Sequence, residues 1–161
     1  MKTRTVTISK TDIFFDVNAA THIFAKVNDA KDPRRFDALE SDTGDTFNSS
    51  VVTRLADRRV SELKESLSRF LKAPDSAVSS ATAGISTATG YEFAFLVEDG
   101  FQDELMDPLA KAVLEYIANG TTADWYAEAG DAMAASYQQK LEPALNRIVS
   151  YLVKRKFPTR S

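Results

Sequence analysis

The chain has 161 residues, of which 43% are hydrophobic and 27% charged, with a net charge of −3, no cysteine and one histidine. That much apolar material excludes a disordered chain and supports a single core within one domain spanning 1–161. Without cysteine there is no disulfide, zinc knuckle, iron–sulfur site or thiol nucleophile, and His22 alone leaves little for a metal site or a serine–histidine relay.

Thr3 to Ser9 alternates, with Arg4, Val6 and Ile8 on one side and Thr3, Thr5 and Thr7 on the other, which predicts a short strand. Ser9 or Thr11 then caps a helix with Asp12 in its first turn. Ile13, Val17, Ala20, Phe24 and Val27 make its apolar stripe, widened by Phe14 and Ile23. Residues 28–47, with Asn28, Asp29, Asp32, Pro33, Asp42, Gly44 and Asp45, predict a flexible or partner-binding loop with a short helical turn at Phe36–Leu39.

Residues 48–72 predict a long helix whose face is Val52, Leu55, Val60, Leu63, Leu67, Phe70 and Leu71. Arg58–Glu62 and Glu65–Arg69 are expected as i,i+4 pairs, and Pro74 is expected to end the helix. Arg54, Arg58 and Arg59, with Arg69 and Lys72, read as a solvated face paired with Asp57, Glu62 and Glu65, in preference to a phosphate site. Residues 73–90, rich in Ala, Ser and Thr, read as a linker or arm.

Tyr91, Phe93, Phe95 and Val97 alternate with other residues, and this second strand is expected to pair with Val6–Ile8. Asp107-Pro108 predicts a helix start, with Asp107 as N-cap. Leu109, Val113, Tyr116, Ile117 and Trp125 continue its face to about Ala127, with Gly120 admitting close packing. Asp131 caps the next helical stretch, from Met133 to Leu152, where Pro143 demands a kink or two abutting helices. A basic tail, 154–161, closes the chain. The fold class is therefore mainly α with minor β: a bundle of about four helices with a two-stranded β element.

The small net charge conceals a polarity. Residues 91–131 sum to −9 and residues 140–161 to +5. One reading is a solvated acidic face and a solubilising basic tail. The other is head-to-tail assembly, the basic end of one copy meeting the acidic face of the next. Asp103 and Glu104 on the acidic side, Lys154, Arg155, Lys156 and Arg160 on the basic side, and Trp125 with Tyr126 as aromatic anchors are the candidate interface residues. The alternative for Trp125 and Tyr126 is a core anchor at a helix end.

Catalytic and cofactor signals are weak. No glycine pattern matches a nucleotide-binding loop, and no G-x-S-x-G is present. Asp103, Glu104 and Asp107 read as acids at a helix start, not as a calcium loop. His22 reads as a boundary histidine. The N-terminal residues carry no apolar secretory stretch, and no apolar run suffices for a membrane span. The expectation is a non-enzymatic, cofactor-free protein located in the cytoplasm.

Several segments carry a resemblance. They are the aromatic strand ending Phe95-Leu96-Val97 and the helix reaching Ala123-Asp124-Trp125-Tyr126. A helix with spaced alanines and Tyr137, the closing Lys154-Arg155-Lys156-Phe157-Pro158-Thr159-Arg160, and the opening Lys2–Lys10 followed by a helix complete the set. Together they resemble small phage and prophage proteins of gut Bacteroidetes encoded among virion structural genes. The resemblance implies a head–tail connector (adaptor) or completion protein that assembles as a ring around a portal. Its implied partners are copies of itself and portal or tail components, with no membrane, and its implied location is the cytoplasm during assembly and then the virion. The alternative is a small regulatory or nucleic-acid-associated module using the basic tail, which the acidic overall balance disfavours.

Overall fold

A computed structural model describes residues 1–28, 46–73 and 89–154. The expected loop at 28–47, the arm at 73–90 and the tail at 154–161 lie almost wholly outside these described residues. In chain order the elements are strand β1 (Lys2–Ser9), helix α1 (Lys10–Asn28), helix α2 (Thr46–Ser66) and a 3-10 turn (Ser68–Phe70). Strand β2 (Gly90–Val97), a second 3-10 turn (Asp103–Leu105), α3 (Met106–Glu128), α4 (Met133–Gln138) and α5 (Leu141–Val153) follow. The result is a helical protein with one two-stranded sheet.

The sheet forms as the alternation predicts. β1 and β2 run antiparallel, with Val6 opposite Phe93 and Ile8 opposite Tyr91. Their shared inner face buries Val6, Ile8, Tyr91, Phe93, Phe95 and Val97. Two strands alone are marginal. Here the segment after α2 covers the far edge of β2, where Leu71 bridges Phe95 and the Lys72 N–H donates to the Ala94 carbonyl at 2.8 Å. The Ser9 hydroxyl accepts from the Thr11 N–H at 3.1 Å, so Ser9 is the residue that caps α1.

α3 is the central helix and packs against α1, α2, α4, α5 and β1. Its burial runs from Leu109 to Tyr126, past Gly120, as the resumed apolar pattern implies. A Cβ on Gly120 would stand 2.7 Å from Arg59 Cδ, so glycine is what lets the Arg59 stem cross α3. At the end of α3 Gly130 adopts φ +70. Its N–H donates to Ala127 O at 3.1 Å, and the Asp131 N–H donates to Tyr126 O at 2.9 Å. That is a Schellman stop, which satisfies carbonyls the helix end would otherwise orphan. The Asp131 carboxylate then accepts from the Met133 N–H at 2.8 Å and starts α4.

Several boundaries depart from the periodicity. α2 ends at Ser66 and a 3-10 turn follows, so the chain leaves the helix well before Pro74. α3 begins at Met106, capped by Leu105 with no side-chain bond, because the preceding 3-10 turn runs straight into it. Pro108 then falls within the first turn, where its missing N–H costs nothing. Pro143 separates two abutting helices, α4 and α5, with the break at Gln139-Lys140, the very carbonyl the ring would strike. Among the described side chains of α1 the buried ones are Ile13, Val17 and Thr21, while Ile23 is exposed and does not widen the stripe; the side chain of Val27 lies outside the described ones. Thr21 takes an inward position because its hydroxyl donates to the Val17 carbonyl at 3.0 Å.

Candidate interaction surface

The candidate interface residues do not form one site. Trp125 and Tyr126 sit near the C-terminal end of α3, whereas Asp103 and Glu104 precede its start. Tyr126 is 0% exposed. Its ring stands edge-on to Phe24 at 5.4 Å and stacks on Tyr137 at 5.8 Å. This corrects the interface reading of Tyr126: its aromatic area joins α1, α3 and α4 and is closed to a partner. Trp125 is half-buried and packs on the same cluster. Lys154 is exposed and lines a groove of about 280 Å³ with Met1, Phe70, Glu98, Phe101 and Val153. Arg155, Lys156 and Arg160 lie outside the described residues.

Asp103 is engaged within the chain. Its carboxylate accepts two hydrogen bonds from Arg4, at 2.8 and 3.0 Å, tying the turn before α3 to β1. Glu115 pairs with Arg147 at 2.7 Å, and Glu128 with Arg54 at 3.4 Å. The Arg147–Glu115 pair joins the basic segment to the acidic one inside a single copy. The sequence polarity is thus partly neutralised by packing α5 against α3. These exposed pairs contribute little stability, about 0–1 kcal/mol each.

The strongest polar cluster is buried. Arg59 is 8% and Asp124 is 7% exposed. Arg59 Nε donates to Asp124 Oδ2 at 2.7 Å and Nη2 to Oδ1 at 2.6 Å, a bidentate fork. Nη1 donates to Glu62 at 2.8 Å and Nη2 also to Gln138 at 3.2 Å. Arg58 reaches Asp124 Oδ2 at 2.9 Å. Burial alone would lower the Arg59 pKa; the hydrogen bonds and charge of Asp124, with Glu62, more than reverse this and hold it above its ordinary value. The Arg58–Glu62 pair expected along α2 is therefore replaced by Arg59–Glu62 and by Arg58 crossing to α3. The cluster bolts α2, α3 and α4 together. Every Arg59 nitrogen already donates to a side chain of the protein, which favours a structural role for it over a phosphate site.

Tyr91 makes a second link, its hydroxyl donating to Asp57 at 2.6 Å between β2 and α2. Burial, and then Asp57, push this phenol well above its ordinary range. Among the described residues no group of three or more His, Cys, Asp or Glu is arranged to hold a metal ion. No described helix is long and apolar enough to cross a membrane.

The surface that periodicity misread is the outer face of α1. Phe15 is 72% and Ile23 62% exposed, and exposed Asp12 and His22 flank them. Beside this face a groove of about 250 Å³ runs between α1 and α3, with Asp16, Ala19 and Ala20 on one wall and Leu114 and Ala118 on the other. Burial, and then the neighbouring Asp12, raise the Asp16 pKa above its ordinary value. The signal is present in the sequence: Phe15 and Ile23 fall off the buried 13–17–21 row. Comparison of the chain with protein-family models, curated proteins and solved structures returns no match.

Proposed function

We propose that the chain acts by binding protein, as a non-enzymatic structural subunit that self-associates and docks on virion partners in the manner of a phage or prophage head–tail connector. The observation that carries the assembly part is the outer face of α1, where Phe15 and Ile23 stand in solvent on a helix whose opposite face is already buried. Two large apolar side chains exposed on one helix face, eight residues apart, favour a protein contact. The connector part rests on the resemblance of the strand, helix and tail segments to prophage virion proteins. The charge polarity supports it less than the sequence alone suggested, because Glu115 and Arg147 meet within one copy.

Sedimentation velocity across a concentration series tests the reading, together with binding to the portal and tail proteins encoded in the same genome. Oligomers that grow with concentration, or a complex with those proteins, are expected. A strict monomer that binds none of them overturns it. A filter-binding titration addresses the alternative through residues 154–161: phosphate contacts would make log affinity fall steeply with log salt.

A further inference from the structure

We infer that the groove between α2, α3 and α5 is a binding site for an organic cation on an alkyl stem, of the class of a lysine or arginine side chain or a free polyamine. No residue of α1 lines this groove, so the inference goes beyond the assembly reading and does not depend on it.

The groove has a volume of about 530 Å³, the size of a small-molecule site. Glu62 and Glu65 reach it from one face of α2, Tyr116 from α3, and Leu141, Glu142 and Leu145 from one face of α5. Its one base, Arg59, is already held by Asp124 and Glu62. Glu65 and Glu142 are exposed, and among the described residues neither enters an ion pair. The bases nearest to them in sequence are held on aromatic rings instead. Lys64 stands over Phe93 at 5.3 Å and Lys140 over Tyr137 at 4.2 Å. The Glu65–Arg69 pair expected at i,i+4 does not form, because α2 ends at Ser66 and Arg69 falls in the 3-10 turn, over the Phe70 ring at 4.5 Å. The groove is thus left anionic.

Acids alone would make only a solvated face. The floor of the groove supplies the independent observation. Tyr116 is 7% exposed, and among the described residues its hydroxyl has no hydrogen-bond partner. The Thr121 and Tyr126 hydroxyls are also unpaired but are sealed within the fold, whereas the Tyr116 oxygen opens on this groove. Leaving a nearly buried hydroxyl unpaired is costly, so such a group marks the place of an absent partner. Burial raises the Tyr116 phenol above its ordinary value, so it stays neutral and its oxygen accepts hydrogen bonds.

The chemistry of these groups selects the ligand. Two unpaired carboxylates and a phenol oxygen accept from a donor-rich cation, an ammonium or a guanidinium. Leu141 and Leu145 add an apolar wall along which an alkyl stem lies while its charged head meets Glu65 and Glu142. A metal ion would leave that wall unused, and no described group of three or more His, Cys, Asp or Glu is arranged to hold one.

Isothermal titration calorimetry of the full chain tests the site, with spermidine in one arm and a peptide of alternating alanine and lysine in the other. Magnesium chloride at matched ionic strength is the control. One probe molecule per chain is expected, and the arm that binds identifies the source of the cation. Glu65→Gln with Glu142→Gln should raise the dissociation constant about tenfold or more. Both side chains are exposed, so the melting temperature should hold. Tyr116→Phe deletes only the hydroxyl; it should raise the dissociation constant about threefold or more without lowering the melting temperature. Glu104→Gln with Asp107→Asn removes the same charge outside the groove and should bind as the natural chain does. The site is overturned if neither probe binds at millimolar concentration, or if magnesium binds as well as they do. It is equally overturned if the Glu104 and Asp107 pair of changes weakens binding as much as the groove pair, or if Tyr116→Phe binds unchanged or melts earlier. None of these results touches assembly through α1, which sedimentation reads separately.

Discussion

Arg59 shows how one residue is misplaced by a correct local reading. Its neighbours Arg54 and Arg58 and the interleaved acids read as a solvated, paired face, and the pairing is real, but Arg59 turns inward to Asp124. Removing one partner of a buried ion pair leaves an uncompensated charge. Arg59→Met should destabilise the fold by about 3–5 kcal/mol, whereas Arg59→Met with Asp124→Leu should recover much of that loss. Urea denaturation of the single and double variants measures both. Gly120 follows from the same contact. In an ordinary helix interior Gly→Ala stabilises by about 1 kcal/mol. Here the new methyl meets the Arg59 stem at 2.7 Å, so Gly120→Ala should destabilise. In an Arg59→Ala background the sign should reverse, and thermal melts of the pair of proteins decide it.

At the scale of elements, existence was easier to foresee than boundaries. Both strands, the long second helix and the run of α3 past Gly120 are set by apolar periodicity, which is a local property of the chain. Helix ends are not. α2 stops at Ser66 because Leu71 and Lys72 are drawn to the edge of β2, and α3 starts early because a 3-10 turn feeds into it. Pro143 sits in the first turn of α5, not in a helix interior. Pro143→Ala should therefore change stability by less than about 1 kcal/mol, against the roughly 3 kcal/mol gained when a true interior proline is removed. Differential scanning calorimetry distinguishes the two.

For the whole molecule, four of the five tyrosines brace the core against solvent and share one electrostatic consequence. Burial raises the phenols of Tyr91, Tyr116, Tyr126 and Tyr137 above their ordinary value of 10.0. Each is an acid whose folded-state pKa exceeds its unfolded one. The unfolded chain therefore loses these protons first, above about pH 10, and stability held below that pH falls as pH rises through it. Thermal melts between pH 8 and pH 11 should show an accelerating loss of melting temperature, with phenolate absorbance from these tyrosines appearing only as the chain unfolds. A flat melting temperature through pH 11 contradicts this account. The charge polarity belongs to the same scale: the acidic and basic segments are distinct along the chain, yet Arg147 and Glu115 bring them together in space.

The amino-acid sequence by itself determined the class of fold, the two strands and their pairing, and most of the buried positions, because alternation and helical periodicity record which side of each element meets the core. Only the tertiary structure decided which exposed-looking charges are buried, which acids are already paired, and that Tyr126 serves the core while Phe15 and Ile23 do not. Those outcomes depend on contacts such as Arg59 with Asp124, 65 residues apart, and Arg4 with Asp103, 99 apart. Periodicity reports which side of a helix is turned inward; what it meets there is settled by packing between segments distant along the chain.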